Sequence, residues 1–279
     1  MFRTVFPVPF RKAALAAATL ISSFALAPSA AAQGDLLIAP TRLVLDGRNG
    51  GEIILSNIGS EDATYRVTLE LRRMMPDGSL VEVEEGAENA LEISSRDMVR
   101  YAPRRVVLPP NQPQAIRVSA RPSADLPDGE YRVHMSFNAI PKAQEVTEAA
   151  PAGGGISINL IPIYGITMPI IIRKGQLEVT GSLDNARLTT IDGNPAFAID
   201  IAREGSASLY GDLVVSKPGV DDPVFAARGL GVYPEITKRQ AVFGIPAEMV
   251  DTLRGPVRIE FREPPERGGG LIMALDAVL

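Results

Sequence analysis

From Leu36 onward, six dipeptides of the Asp-Gly, Asn-Gly and Gly-Asp type punctuate this chain, at Asp46-Gly47, Asn49-Gly50, Asp77-Gly78, Asp128-Gly129, Asp192-Gly193 and Gly211-Asp212. Pairs of this kind supply the positive backbone angles of tight hairpin turns. Between them lie short runs rich in Val, Ile, Leu and Thr that alternate polar and apolar residues, the period of a strand with one face buried. Helical periodicity is scarce. The reading is an all-β chain with strands expected near 36–45, 51–56, 64–73, 79–84, 104–108, 114–120, 130–138 and 156–172. After Lys174 the rhythm restarts, with further strands near 176–183, 196–203, 208–216, 223–230, 240–246, 256–262 and 271–277. Each set is enough for one immunoglobulin-like β-sandwich, so two sandwiches in tandem are expected, divided near 173–175.

The first 32 residues read as a cleaved signal peptide. Arg3, Arg11 and Lys12 form a positive start, Ala13 to Ala27 an apolar stretch, and Ala30-Ala31-Ala32 a small-residue cleavage site. Removing them takes three positive charges and no acidic ones, which moves the formal net charge from −5 to about −8. An exported, acidic chain without tryptophan is a poor nucleic-acid binder. It contains no cysteine, so disulfides, thiol catalysis and thiolate metal sites are excluded and stability must come from burial and sheet hydrogen bonds. The expected units are 1–32 as signal peptide, 33–173 as the first sandwich and 174–279 as the second.

One stretch departs from the rhythm. Residues 156–172 read ISINLIPIYGITMPIII, seventeen residues without a charge. A membrane helix is a poor account, because the run is at the short limit of a span and Pro162, Gly165 and Pro169 interrupt it. As a strand it has two parts. Ile156, Ile158 and Leu160 alternate with Ser157 and Asn159, whereas from Ile161 onward the residues look buried on both sides. Strands usually run about five or six residues, so a strand this long projects past its neighbours or serves both sandwiches. Before it lies KAQEVTEAAPAGGG, residues 142–155, whose composition predicts a mobile loop.

Four stretches in this order resemble the periplasmic chaperones of chaperone-usher pilus assembly. They are PTRLVLDG at 40–47, VLPPNQPQAIRV at 107–118, LPDGEYRVHMSF at 126–137 with Ala139-Ile140-Pro141 after it, and the loop and apolar run just described. The resemblance implies two immunoglobulin-like sandwiches and a strand lent to a pilus subunit that lacks its own last strand. The donor side chains would be Ile156, Ile158 and Leu160. It also implies that Arg42 holds the subunit's terminal carboxylate, for which a guanidinium fork is well suited. Such chaperones pair that arginine with a lysine on the donor strand, but here Tyr164 and Gly165 stand at that point. Either Arg42 with a hydroxyl such as that of Tyr164 suffices, or another basic residue reaches the cleft, or no carboxylate is clamped.

The implied partners are pilus or fimbrial subunits and an outer-membrane usher, in the periplasm, with no cofactor, small-molecule substrate or nucleic acid. A free donor strand also offers a route to self-association. The alternative is a structural or adhesive envelope protein of the same fold that chaperones nothing. Neither reading is enzymatic. The sole histidine, His134, falls with Arg132 and Ser136 on the polar side of an alternating strand and is expected at the surface. Glu82, Glu84 and Glu85 lack the alternating ligand pattern of a calcium loop, and Gly153-Gly154-Gly155 lacks the Lys-Ser/Thr of a phosphate loop. No catalytic or metal residue is assigned.

Overall fold

Proline decides where the first strand breaks. The computed structural model describes residues 36–141 and 165–279, and in it the expected strand 36–45 is two: β1 (Leu36–Ala39) and β2 (Leu43–Leu45). Pro40, preceded by a cis bond, has no N–H to give to a ladder, and the chain there leaves one sheet for the other. Pro103, also after a cis bond, marks a second crossing, from β7 (Val99–Ala102) to β8 (Arg105–Leu108).

The remaining strands of this unit are β3 (Gly51–Asn57), β4 (Ala63–Glu70), β9 (Pro113–Ala120), β10 (Gly129–Ala139) and β11 (Gly165–Lys174). They form two sheets, in the orders β1-β3-β9-β7 and β2-β11-β10-β4-β8. Lettered along the chain, these are the A-B-E-D and G-F-C sheets of an immunoglobulin-like sandwich. A second mark of that fold is local. The Tyr131 hydroxyl, near the start of β10, donates to the Pro127 carbonyl at 2.6 Å, tying the corner before the strand. Alternation on β10 sends Tyr131, Val133, Met135 and Phe137 inward, against Ile53 and Leu55 of β3, Ile116 and Val118 of β9, and Ile170 and Ile172 of β11.

The other face of β10 is not at the surface. A helix the sequence pattern had not suggested, α1 (Ala90–Asp97), packs on it, so His134 and Ser136 are buried with 1% and 2% of their surface exposed. The expectation of a surface histidine is therefore corrected: alternation assigned the right face, but that face is covered. Asn89 caps the helix, accepting from the Glu92 N–H while the Glu92 carboxylate accepts from the Asn89 N–H, a reciprocal capping box. Beside it a separate hairpin, β5 (Arg72–Met74) and β6 (Leu80–Glu82), stands out from the sandwich.

The second unit comprises β12 (Val179–Ile191), β13 (Asn194–Gly205), β14 (Leu209–Ser216), β15 (Phe225–Val232), β16 (Lys238–Gly244), β17 (Pro256–Arg262) and β18 (Leu271–Val278), with a short helix α2 (Ala247–Leu253) before β17. Its sheets run β12-β13-β16 and β15-β14-β17-β18, again an immunoglobulin-like seven-strand order. Asp192-Gly193 turns β12 into β13 with φ of 50° and 80°, the pair of positive angles that this dipeptide predicts. Phe197, Ile199 and Ile201 of β13 meet Leu213 and Val215 of β14 and Ile259 and Phe261 of β17 in a core distinct from the first. Each such fully buried side chain contributes about 1.5 to 3 kcal/mol before ordering costs. The fold is thus all-β, two immunoglobulin-like sandwiches in tandem.

Candidate functional site

Arg42 lies in the bend between β1 and β2, and that bend faces the second sandwich. Its Nη2 donates to the Ser208 hydroxyl at 2.9 Å, across 166 residues of sequence. Its guanidinium carbon stands 4.1 Å from the ring centroid of Tyr210 and 5.9 Å from that of Tyr233, within reach of a cation–π attraction. Its Nε and Nη1 are buried and have no acceptor. Burial pulls the guanidinium pKa below its ordinary value, partly opposed by Tyr233 and Glu130. A cation stripped of water and left with unmade hydrogen bonds is unfavourable by itself, and an anion supplied from outside would relieve it.

A carboxylate already present has one oxygen committed elsewhere and the other, Glu130 Oε1, buried without a hydrogen-bond partner. The side chain of Glu130, the only acid of β10 and on the face opposite the first core, is fully buried, and its Oε2 accepts from the Ser208 N–H at 3.1 Å, the Ser208 hydroxyl at 3.0 Å and Arg173 Nε at 3.1 Å. Ser208 is therefore the joint of the cleft, receiving from Arg42 and donating to Glu130. A second arginine stacks on Tyr233: Arg132 lies 3.7 Å from the ring centroid and donates to the Arg72 carbonyl at 2.8 Å and to the Glu235 carboxylate. Tyr233 thus has two guanidinium groups near its ring, and burial raises its phenol pKa although both arginines oppose that.

The loops that carry Ser208 and Tyr233 are held by a third arginine. Arg203 of β13 is buried, and all of its nitrogens donate to backbone carbonyls: Nε to Ile236, Nη1 to Gly205 at 2.6 Å and Ala207 at 3.0 Å, and Nη2 to Pro234. Unlike Arg42 it has its hydrogen bonds made within the chain.

Of the residues expected at the site, Arg42 is thus between the sandwiches. Ile156, Ile158, Leu160 and Tyr164 lie outside the described residues, as does the expected signal peptide. The strand that follows them is described. From Gly165 to Lys174, β11 pairs with β10 along ten consecutive positions, whereas β2 borders its other edge only at Ile170–Ile172. Ile166 is 40% exposed, against the expectation that it is buried on both sides, because it lies on this less covered part of the strand. Ile170, Ile171 and Ile172 are fully buried.

Ser208, Tyr210, Tyr233, Glu130 and Arg173 were not foreseen as neighbours of Arg42. No local pattern announces them, since three belong to the second sandwich and meet Arg42 only through the relative placement of the two units. Among the described residues no group of three or more His, Cys, Asp or Glu could hold a metal ion, and no helix is long and apolar enough to cross a membrane.

No family model matches the chain, and neither does any curated protein. Among solved structures it is similar to the CupB2 chaperone of Pseudomonas aeruginosa, at 13% identity over 87% of this chain and 100% of that one, with a TM-score of 0.45. A second is from the CsuC-CsuE chaperone and tip-subunit pre-assembly complex of the archaic chaperone-usher Csu pili of Acinetobacter baumannii, at 10% identity over 88% of this chain and 97% of that one, TM-score 0.45. A third is from the Salmonella enterica SafA pilin in complex with the SafB chaperone, at 17% identity over 88% of this chain and 96% of that one, TM-score 0.44.

Proposed function

We propose that this chain is a non-enzymatic periplasmic chaperone for pilus or surface-fibre subunits. The sandwich at 33–173 would bind a subunit by lending it the strand at 156–160 and receive the subunit's terminal carboxylate at Arg42. The sandwich at 174–279 would complete the cleft. The observation that carries the reading is the Arg42 guanidinium, buried between the sandwiches with Nε and Nη1 lacking acceptors. A carboxylate is the ligand that such donors favour, through paired charge-assisted hydrogen bonds.

Strand lending is supported by the less covered edge of β11 between Gly165 and Pro169, the part of that strand nearest in sequence to residues 156–160. In that reading Ile156, Ile158 and Leu160 each contribute about 1.5 to 3 kcal/mol of transfer free energy to the subunit's groove, before ordering costs. Delivery to an outer-membrane usher follows, with folding of the subunit as the source of free energy and no cofactor required. Tyr164 and the basic residues near the cleft, Arg132 and Arg173, are candidates for the position where related chaperones carry lysine.

The test is co-expression with a candidate subunit and recovery of the complex. Ile158→Asp with Leu160→Asp should abolish it, and an intact complex would refute strand lending. Arg42→Ala should weaken capture about thirtyfold or more, the usual result of removing one partner of a buried charge pair. Equal capture of a subunit and of its C-terminally amidated form by the unaltered protein would refute carboxylate anchoring.

A further inference from the structure

Besides the two sandwich cores there is a third, smaller one. Met74 of β5, Ile171 of β11 and Tyr233 of the second sandwich are buried against one another, with Leu80 of β6 and Ile236 packed at the margin. It joins the two units, and the hairpin β5–β6 supplies two of its five members.

Polar contacts extend the same seam. The Gln240 N–H, on the outer edge of β16, donates to the Pro76 carbonyl in the hairpin turn at 2.7 Å. The Met74 N–H donates to Glu235 Oε1 at 3.4 Å, and Glu235 also receives Arg132. At the tip, Gly78 has a φ of 85° and lies flat on Arg239 of β16: a Cβ built there would fall 2.0 Å from Arg239 Nε. Only a residue without a side chain brings the turn this close. Arg239 in turn donates from Nη1 to the Gly231 carbonyl at 2.8 Å, two residues before Tyr233.

We propose that the β5–β6 hairpin is a latch that fixes the second sandwich against the first and holds the Tyr233 ring in place beside Arg42. The contacts form a continuous path. Met74 packs on Tyr233, whose ring centroid lies 5.9 Å from the Arg42 guanidinium carbon. A hairpin that lifts away removes Met74 and Leu80 from the small core, frees Glu235 from the Met74 N–H and exposes the edge of β16. Nothing else in the first sandwich supplies a backbone bond to that edge among the described residues. The latch concerns the protein's own geometry and holds whichever anion Arg42 receives.

Two substitutions test it without touching Arg42 or Tyr233. Met74→Glu places a carboxylate in the small core beside Glu235. Gln240→Pro removes one donor; its N–H points away from β13, so proline is tolerated there as on other sheet edges. Because the chain has no cysteine, Arg117→Cys and Asp251→Cys, both exposed, accept spin labels specifically, one on each sandwich. Pulsed dipolar spectroscopy should give one narrow distance for the otherwise unaltered protein and a broad distribution for each latch variant.

A distribution unchanged in both variants overturns the latch. Circular dichroism melts confirm that each variant remains folded, and the milder Gln240→Pro decides if Met74→Glu does not. The link to Arg42 has its own readout, the exchange of the Arg42 Nε–H with water, assigned by its loss in Arg42→Lys. Release of the latch should accelerate that exchange about tenfold or more, as local opening does. An unchanged rate alongside a broadened distance would show that the latch does not set the Arg42 surroundings.

Discussion

His134 should make this protein measurably sensitive to mild acid. Its ring is 1% exposed, neither Nδ1 nor Nε2 has a hydrogen-bond partner, and Arg132 and Arg72 lie nearby. Burial first, and then the two arginines, lower its pKa from 6.5 to about 3. The unfolded chain therefore binds a proton between pH 6.5 and 3 that the folded chain refuses. Stability is fully present above pH 6.5 and is lost progressively as the pH falls toward 3. At pH 5 the loss is about 2 kcal/mol, from one and a half pH units at 1.36 kcal/mol each.

For a chain of this size that corresponds to a fall of roughly 4 to 8 °C in melting temperature. The assay is urea unfolding at pH 8 and pH 5 on the untagged protein and on His134→Leu. The difference between the two proteins in their pH dependence isolates the imidazole, because no other histidine contributes. Proton NMR of the single histidine ring reads the folded pKa directly. A titration midpoint near 6.5 in the folded protein, or an equal pH dependence in His134→Leu, would refute the reasoning.

Three further outcomes follow from particular contacts. Tyr131→Phe deletes the hydroxyl that donates to Pro127 and should cost about 1 to 1.5 kcal/mol in chemical denaturation, with subunit capture unchanged. Asn89→Ala removes one half of the capping box of α1 and should cost about 1 kcal/mol, read as earlier amide exchange of residues 90–93 than of β10. Gly205→Ala combines a φ of 103° with a Cβ placed 2.3 Å from the Glu178 carbonyl oxygen. That backbone cannot move cheaply, so a loss of about 2 kcal/mol or more is expected in the melt of the second sandwich.

Period-two alternation and turn dipeptides made most of the strands legible, because both act through neighbours in sequence. Asp192-Gly193 reverses the chain where it should. The failures share a cause. Pro40 interrupts the expected strand 36–45 by lacking an N–H, a backbone property that hydrophobic pattern ignores. His134 sits where its alternation demands, yet the meaning of that face changed when α1 closed over it. The helix carried a signal in Asn89 and Glu92, three apart, but only eight residues follow and its apolar stripe is weak.

At the cleft, Arg42 could be singled out from the stretch around it, but Ser208 and Tyr233 could not. Their nearness to Arg42 is a property of how two finished sandwiches meet, and no spacing along the chain encodes it locally. Ile171 illustrates the same point: its burial on the side facing away from the first core makes sense only once Met74 and Tyr233 are seen to share it.

Arg203 gives the cleft a particular mechanical character. One planar, rigid group grips the carbonyls of Gly205, Ala207, Pro234 and Ile236, so two loops far apart in sequence are fastened to a common hub. They should drift together rather than separately, carrying Ser208 and Tyr233 as a matched pair. The second sandwich's wall of the cleft then moves as one piece while the gap as a whole breathes, much as a single caliper jaw keeps its shape while the opening varies.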